Sequence, residues 1–332
     1  MDHQTRKLLI YGATGYTGRI ACQHASSLGL QFVLGGKSPD KLASLSAQFG
    51  VPYLVFELQD PCVIASALGG VKVLLNCAGP FSGTAEPLMA ACIQGEVHYL
   101  DISVELPTYQ LADRLNDEAE RARVMLLPGC GGSVAMLGCL VLHALQNIEH
   151  QVVSLDVALR VAGPMSRGSA ITVRDGLSPE CLQRRDNDIT QQDINSTQNF
   201  DFDDGKGAVS CVPVTLPDII TLWKVTGATN IRTFIFATEE SPPDFASLPD
   251  GPTVEQREAS PYHAAVIATT RDGTTKRAVL HTVNGYTFTG IASVEAAKRV
   301  LTGDHTSGFQ TPAGVFGKEF VKGVLGSNLV DL

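Results

Sequence analysis

Between residues 7 and 129 the chain alternates short, unbroken apolar runs with longer mixed stretches. The runs KLLIYG (7–12), QFVLGG (31–36), PYLVFE (52–57), VKVLLNCAG (71–79), VHYLDI (97–102) and RVMLLPG (123–129) predict strands. Helical patterning fills the intervals at 16–28, 39–49, 60–69, 84–95 and 107–121. Strands apolar on both faces and separated by helices predict a parallel sheet covered on both sides. Short loops and right-handed crossovers make that sheet a doubly wound, Rossmann-type one.

The rhythm changes after about residue 148. VVSLDVALRVAG (152–163), IRTFIFATE (231–239) and the stretch 262–285 are longer and half-alternating, and Asp272-Gly273 supplies a hairpin turn in the third. They predict a C-terminal α+β domain with a mostly antiparallel sheet. Between them, 180–210 is polar and reads as a mobile, lid-like insertion. The expected division is a nucleotide-binding domain over 1–130 and a substrate domain over 131–290. Two terminal helices within 291–332 are expected to pack back on the first domain.

Composition narrows the function classes. The 332 residues are 44% apolar and 18% charged, which fits a chain with a substantial core. A net charge of −9 without a basic run argues against a nucleic-acid partner. The most apolar window, VAMLGCLVLHAL (134–145), is too short to span a bilayer and predicts a buried helix. Eight cysteines without a C-x-x-C pair, and no signal-peptide pattern, fit reduced thiols and a cytoplasmic location. Eight histidines without ligand spacing predict no metal site.

The first strand runs into Gly12-x-x-Gly15-x-x-Gly18 and then a helix. Glycines there allow a tight turn and close approach of backbone to a pyrophosphate, while the helix start offers free N–H groups. No Asp or Glu occurs from His3 to Pro39, so the second strand lacks the acid that takes an NAD ribose. Lys37 and Ser38 stand at its end instead, with Lys41 and Arg19 nearby in sequence. A cation and a hydroxyl suit a 2′-phosphate, so NADP(H) is the expected cofactor.

Further candidates sit where later strands end. NCAGPF (76–81) brings Cys77, Ala78, Gly79 and Pro80 to the carboxyl edge, near the cofactor's ribose and nicotinamide. HYLDISVE (98–105) delivers Tyr99, Asp101 and Glu105 as an acid/base or a substrate hydrogen-bond group, or else as turn and capping residues. PGCGGS (128–133) adds Cys130, a nucleophile or a buried structural thiol, and Ser133. In GPMSRGSAIT (163–172), Ser166 and Arg167 are candidates for an anionic substrate group, or for an ordinary capped helix. No tyrosine has Lys four residues later, so the Y-x-x-x-K pair of short-chain dehydrogenases is absent.

The order of these segments resembles the saccharopine dehydrogenase-like oxidoreductases, in particular their trans-acting enoyl reductase branch. YGATGYTGR (11–19), LGGKSPDKL (34–42), residues 73–105, LLPGCG (126–131), GPMSRGSA (163–170) and TPAGVFG (311–317) carry the resemblance. It implies NADP(H) at the junction of a Rossmann and a sheet-bearing domain. By position, Gly12, Thr14, Gly15, Tyr16, Thr17, Gly18, Lys37, Ala78 and Gly79 would line the cofactor. The chain departs from the family at Lys37 (usually Arg), at Val104 (usually Gly) and in a shortened stretch after PGCG. The expected activity is NADPH-dependent reduction of a polarised C=C in a small, largely apolar, polyketide- or lipid-like substrate. The alternatives are saccharopine-type imine chemistry, a non-redox cyclase or isomerase, and an NADP-binding scaffold. A small-molecule substrate is the expected partner, with a homodimer left open.

Overall fold

A computed structural model describes residues 8–176, 180–238 and 248–332. The first part of the chain runs β1 (Leu8–Tyr11), α1 (Tyr16–Ser27), β2 (Phe32–Gly36), α2 (Pro39–Phe49), β3 (Tyr53–Val55), α3 (Pro61–Ala67), β4 (Val73–Asn76), α4 (Phe81–Gln94), β5 (His98–Asp101), α5 (Leu106–Arg114), α6 (Asn116–Arg121) and β6 (Met125–Leu127). There follow α7 (Ser133–Ala144), β7 (Val152–Val161), α8 (Arg167–Ile171), β8 (Leu182–Arg185), β9 (Asp188–Gln191), β10 (Gln198–Asp201), β11 (Ala208–Pro213), α9 (Asp218–Thr226) and β12 (Asn230–Ala237). The remainder is α10 (Val254–Glu258), β13 (Tyr262–Thr270), β14 (Thr275–Thr282), α11 (Gly285–Leu301), β15 (Gly308–Phe309), α12 (Pro312–Phe316) and β16 (Asn328–Asp331). These elements form two compact units, one reaching to Gly131 and including Thr289–Gln310, the other Gly132–Phe288 with Thr311–Leu332.

The first unit is built on a parallel sheet of order β3-β2-β1-β4-β5-β6-β15. Leu8, Leu9 and Ile10 of β1 are fully buried, each contributing about 1.5–3 kcal/mol. Helix α1 turns Gly18, Ala21, Cys22 and Ala25 inward, a small-residue stripe that allows close packing. The register sets Tyr11 beside Gly35 and Asn76, and Asn76 beside Asp101, so four strands end together. At β1 the strand order reverses direction. That is the topological switch point where open α/β sheets bind ligands.

The second unit holds a nine-stranded sheet whose main path is β10-β11-β12-β7-β13-β14-β16, with β8 and β9 attached through β12. The β12–β7 pair is parallel and the other pairings are antiparallel. Helix α7, the apolar window, packs on β13 and β14. No helix among the described residues is long and apolar enough to cross a membrane.

Three local expectations are corrected. Residues 180–210 are not a lid-like loop: they form β8, β9, β10 and the start of β11. Asp186 and Asn187 take positive φ values of 51° and 76° to close the β8–β9 hairpin. Phe200 and Phe202 anchor the segment by burying themselves with Ala158, Phe234, Ala265 and Val279. The 107–121 helix is divided into α5 and α6 at Leu115. The expected final helix ends at Phe316 because Gly317 takes φ 71°, and a 3-10 turn, Lys318–Gly323, follows.

Candidate nucleotide-binding site

Two of the three glycines of the first turn, Gly12 and Gly18, are required by space. Gly12 has φ +77°, and a Cβ there would stand 2.7 Å from Ala78 N and 2.8 Å from Cys77 C. A Cβ on Gly18 would fall 2.3 Å from the Gly12 carbonyl oxygen. Gly12 therefore lets the turn lie against the end of β4, and Gly18 lets α1 lie against the turn. Gly15 is exposed and caps α1 with extended backbone and no side-chain hydrogen bond. The first turn of α1 carries no acid, and Arg19 donates to Thr14 O at 2.7 Å. The helix start thus offers its dipole and N–H groups to an anion. Thr14, Tyr16 and Thr17 are half-buried around it.

At the end of β2, Lys37 is exposed and its side chain makes no hydrogen bond or ion pair among the described residues. Ser38 is the N-cap of α2, yet its hydroxyl makes no capping bond. An uncommitted ammonium beside an uncommitted hydroxyl fits a ribose 2′-phosphate, and the carboxylate that would repel one is missing from the strand end. On the other side of β1, Ala78 is half-buried while Gly79 and Pro80 are exposed. Cys77 is buried, and burial raises its thiol pKa, so its side chain packs beneath the site.

Behind that loop lies a buried polar network. Asn76 Nδ2 donates to Thr84 Oγ1 at 3.0 Å and to the Tyr99 hydroxyl at 3.2 Å. Asn76 Oδ1 accepts from Ala78 N at 2.9 Å, and Thr84 donates to Ala78 O at 2.7 Å. The Tyr99 hydroxyl donates to Asp101 Oδ2 at 2.8 Å. Asp101 Oδ1 accepts from Ser103 N and Gly129 N, both at 2.8 Å. Glu105 accepts from Phe81 N and Ser82 N at 2.9 Å, one carboxylate oxygen each, and so caps α4. Burial raises Asp101 to about 6, against the pull of these hydrogen bonds.

The expected acids are hydrogen-bonded at the strand ends. Tyr99, Asp101 and Glu105 are 0%, 0% and 1% exposed, and their polar atoms hold the ends of β4, β5 and β6 together. Cys130 is also fully buried, and desolvation raises its thiol pKa, which suits a buried structural thiol. Ser133 opens α7 in the second unit, with its Oγ buried and unpartnered among the described residues. Ser166 and Arg167 are likewise engaged within the second unit. Ser166 Oγ accepts from Ser169 N at 3.1 Å as the cap of α8, and Arg167 donates twice to Leu248 O at 3.0 and 2.7 Å. Asn76 and Thr84 were not among the expected site residues. An Asn closing an otherwise apolar strand is the signal for the first, and Thr84 carries no comparable one.

A doubly wound sheet, a glycine turn that a methyl would block and an open helix start define a dinucleotide-binding unit. Residues 8–127 match the family model of the saccharopine dehydrogenase NADP binding domain, and the cofactor is NADP. The chain is 29% identical over 112 residues to a trans-acting enoyl reductase of Mycobacterium leprae, across 32% of this chain and 27% of that protein. It is 28% identical over 143 residues to a probable mitochondrial saccharopine dehydrogenase-like oxidoreductase of Arabidopsis thaliana, across 37% of this chain and 31% of that one. The chain thus matches less than a third of the length of either relative. Apo saccharopine dehydrogenase (L-Glu forming) of Saccharomyces cerevisiae shares the fold with TM-score 0.66 and 11% identity, over 98% of this chain and 100% of that one. Homospermidine synthase of Legionella pneumophila, solved with NAD, gives TM-score 0.65 at 11% identity, over 99% and 92%.

Proposed function

We propose that the protein is an NADPH-dependent oxidoreductase that reduces a polarised C=C bond in a small, largely apolar acyl or enone substrate. The observation that carries this reading is the pairing of the uncapped α1 start with the free Lys37 and Ser38 at the end of β2. The enoyl choice draws support from the sequence relatives, whose similarity lies with a trans-acting enoyl reductase. Bound NADPH would supply the hydride, delivered to the β-carbon of the double bond.

The chain's own part is placement. The α1 N–H groups would hold the pyrophosphate, and Lys37 with Ser38 the 2′-phosphate. The Asn76–Tyr99–Asp101 network fixes the Ala78–Pro80 backbone against the cofactor. With Tyr99, Asp101 and Glu105 committed to that network, the α-carbon would take its proton from water, and the double bond would gain one hydride and one proton in all. Cysteines free throughout suit a reducing, cytoplasmic setting.

The test is a substrate panel of enoyl thioesters, enones and cyclic imines, each incubated with NADPH and the protein. Loss of the reduced-nicotinamide absorbance with the enoyl or enone compounds, and saturated product by mass, is the expected result. Turnover of the imines alone would replace the reading by the amine branch. Product without NADPH loss would replace it by isomerisation, and binding without product by a scaffold.

A further inference from the structure

The second unit carries a hollow that the nucleotide chemistry leaves unused. It has a volume of about 240 Å³ and an apolar floor of Phe202, Val209 and Phe236. At about 30 Å³ per water-sized group, that is room for roughly eight heavy atoms. Charge is confined to one wall. Arg160 and Asp204 form an ion pair there, with side chains 9% and 10% exposed, and Asp204 Oδ1 accepts from the Lys206 backbone N–H at 3.1 Å. Arg160 is therefore neutralised. Lys206 lines the same wall, exposed, and its ammonium makes no hydrogen bond or ion pair among the described residues.

The neighbouring strand adds no further charge. His263 stands opposite Arg160 in the β7–β13 register, its Nδ1 3.0 Å from His281 Nδ1. Burial, then His281, Arg160 and Lys206, lowers it to about 4, which leaves the ring neutral. His281 Nε2 in turn lies 3.5 Å from Asp203. Among the described residues the lining thus presents two cations against one carboxylate, beside an aromatic floor. A neutral hydrocarbon would leave the ammonium unused, and inorganic phosphate would leave the floor unused. An anion with an apolar tail satisfies both.

We propose that this hollow binds a small monocarboxylate with an apolar tail, its head on Lys206 and its tail over Phe202 and Phe236. The inference draws on the second unit alone and goes beyond the reductase reading, which stands or falls separately.

Hexanoate, with eight heavy atoms, is the probe, titrated calorimetrically into the full chain near neutral pH. Saturable binding is expected, weakened about fivefold by Lys206→Met, the factor that corresponds to about 1 kcal/mol for a partly solvated charge pair. Phe236→Ala should weaken it as well, and hexanol should bind at least about fivefold more weakly than hexanoate. Lys206 is exposed, so its variant keeps the fold, and its thermal unfolding serves as the check. Absence of saturable binding overturns the proposal. So does equal affinity for hexanol, or a hexanoate affinity that Lys206→Met leaves unchanged.

Discussion

Asp218 opens helix α9 and is fully buried. Neither carboxylate oxygen finds a side-chain or cross-chain donor among the described residues, and neighbouring Thr221 Oγ1 is unpartnered too. Burial raises Asp218 from the ordinary 3.8 to about 7, offset only by its own backbone N–H. The folded state therefore holds this proton more tightly than the unfolded state does. Stability is greatest where Asp218 is protonated, falls as pH rises from about 4 to about 7, and levels off above. Between about pH 5 and about pH 8 the loss from this one group is about 2.5 kcal/mol. Asp218→Asn keeps the shape and cannot ionise, so it should remove that part of the slope. The variant should be more stable than the parent by up to about 4 kcal/mol near pH 8, with a smaller gain near pH 5. Urea unfolding of both proteins at the two pH values, followed by tryptophan emission, measures it, because the chain's one Trp, Trp223, lies on the same helix. A parallel pH dependence in the two proteins, or a variant weaker at high pH, would refute the reasoning.

Three further substitutions address the first unit. Lys37→Ala should weaken NADPH binding about fivefold, as fits an exposed charge pair, and leave NADH binding within about twofold; calorimetry with both nucleotides decides, and equal losses would remove Lys37 from the 2′-phosphate site. Gly12→Ala places a Cβ 2.7 Å from Ala78 N at φ +77°, so about 3 kcal/mol of stability should go together with nucleotide binding, as measured by denaturation and titration. Tyr99→Phe removes the donor to Asp101 Oδ2. It should cost about 1–3 kcal/mol and raise Asp101 above about 6, which steepens the loss of stability with rising pH. A pH profile unchanged from the parent's in that variant would separate Tyr99 from Asp101.

The sequence displayed the parallel sheet well because each strand from β1 to β6 is either a compact apolar run or closes one. It did not display β15 or β16. Gly308–Phe309 and Asn328–Asp331 are too short to show a period, and their pairing with β6 and β14 is a tertiary matter. The strands of 180–210 were hidden for a related reason. Two phenylalanines among polar residues carry the packing, and Asp and Asn at positive φ make turns that polarity alone reads as loop. At the site, the glycine cradle was legible because backbone proximity leaves no other residue type. Tyr99 and Asp101 were legible as positions only. Two residues apart on β5 they share a face, which spacing shows, but that the hydroxyl meets the carboxylate and Asn76 follows from register with β4.

Burial then decides which polar groups are left for chemistry. In the first unit, Lys37, Ser38 and the α1 start are open, and all three suit phosphate. Tyr99, Asp101 and Glu105, which have the right types for acid–base work, are spent on holding backbone N–H groups and one another. This unit is therefore specialised for the cofactor, and the family match, which ends at residue 127, covers little else. On the proposed reductase reading, the choice between an enoyl and an imine substrate falls to residues beyond 127, where the chain offers a different inventory of charge. A chimera carrying residues 8–127 of a related enoyl reductase on this chain's remainder should keep this protein's substrate preference and take only its nucleotide affinity from the donor. A preference that followed the donor instead would return substrate choice to the first unit, and with it a catalytic part for the buried network.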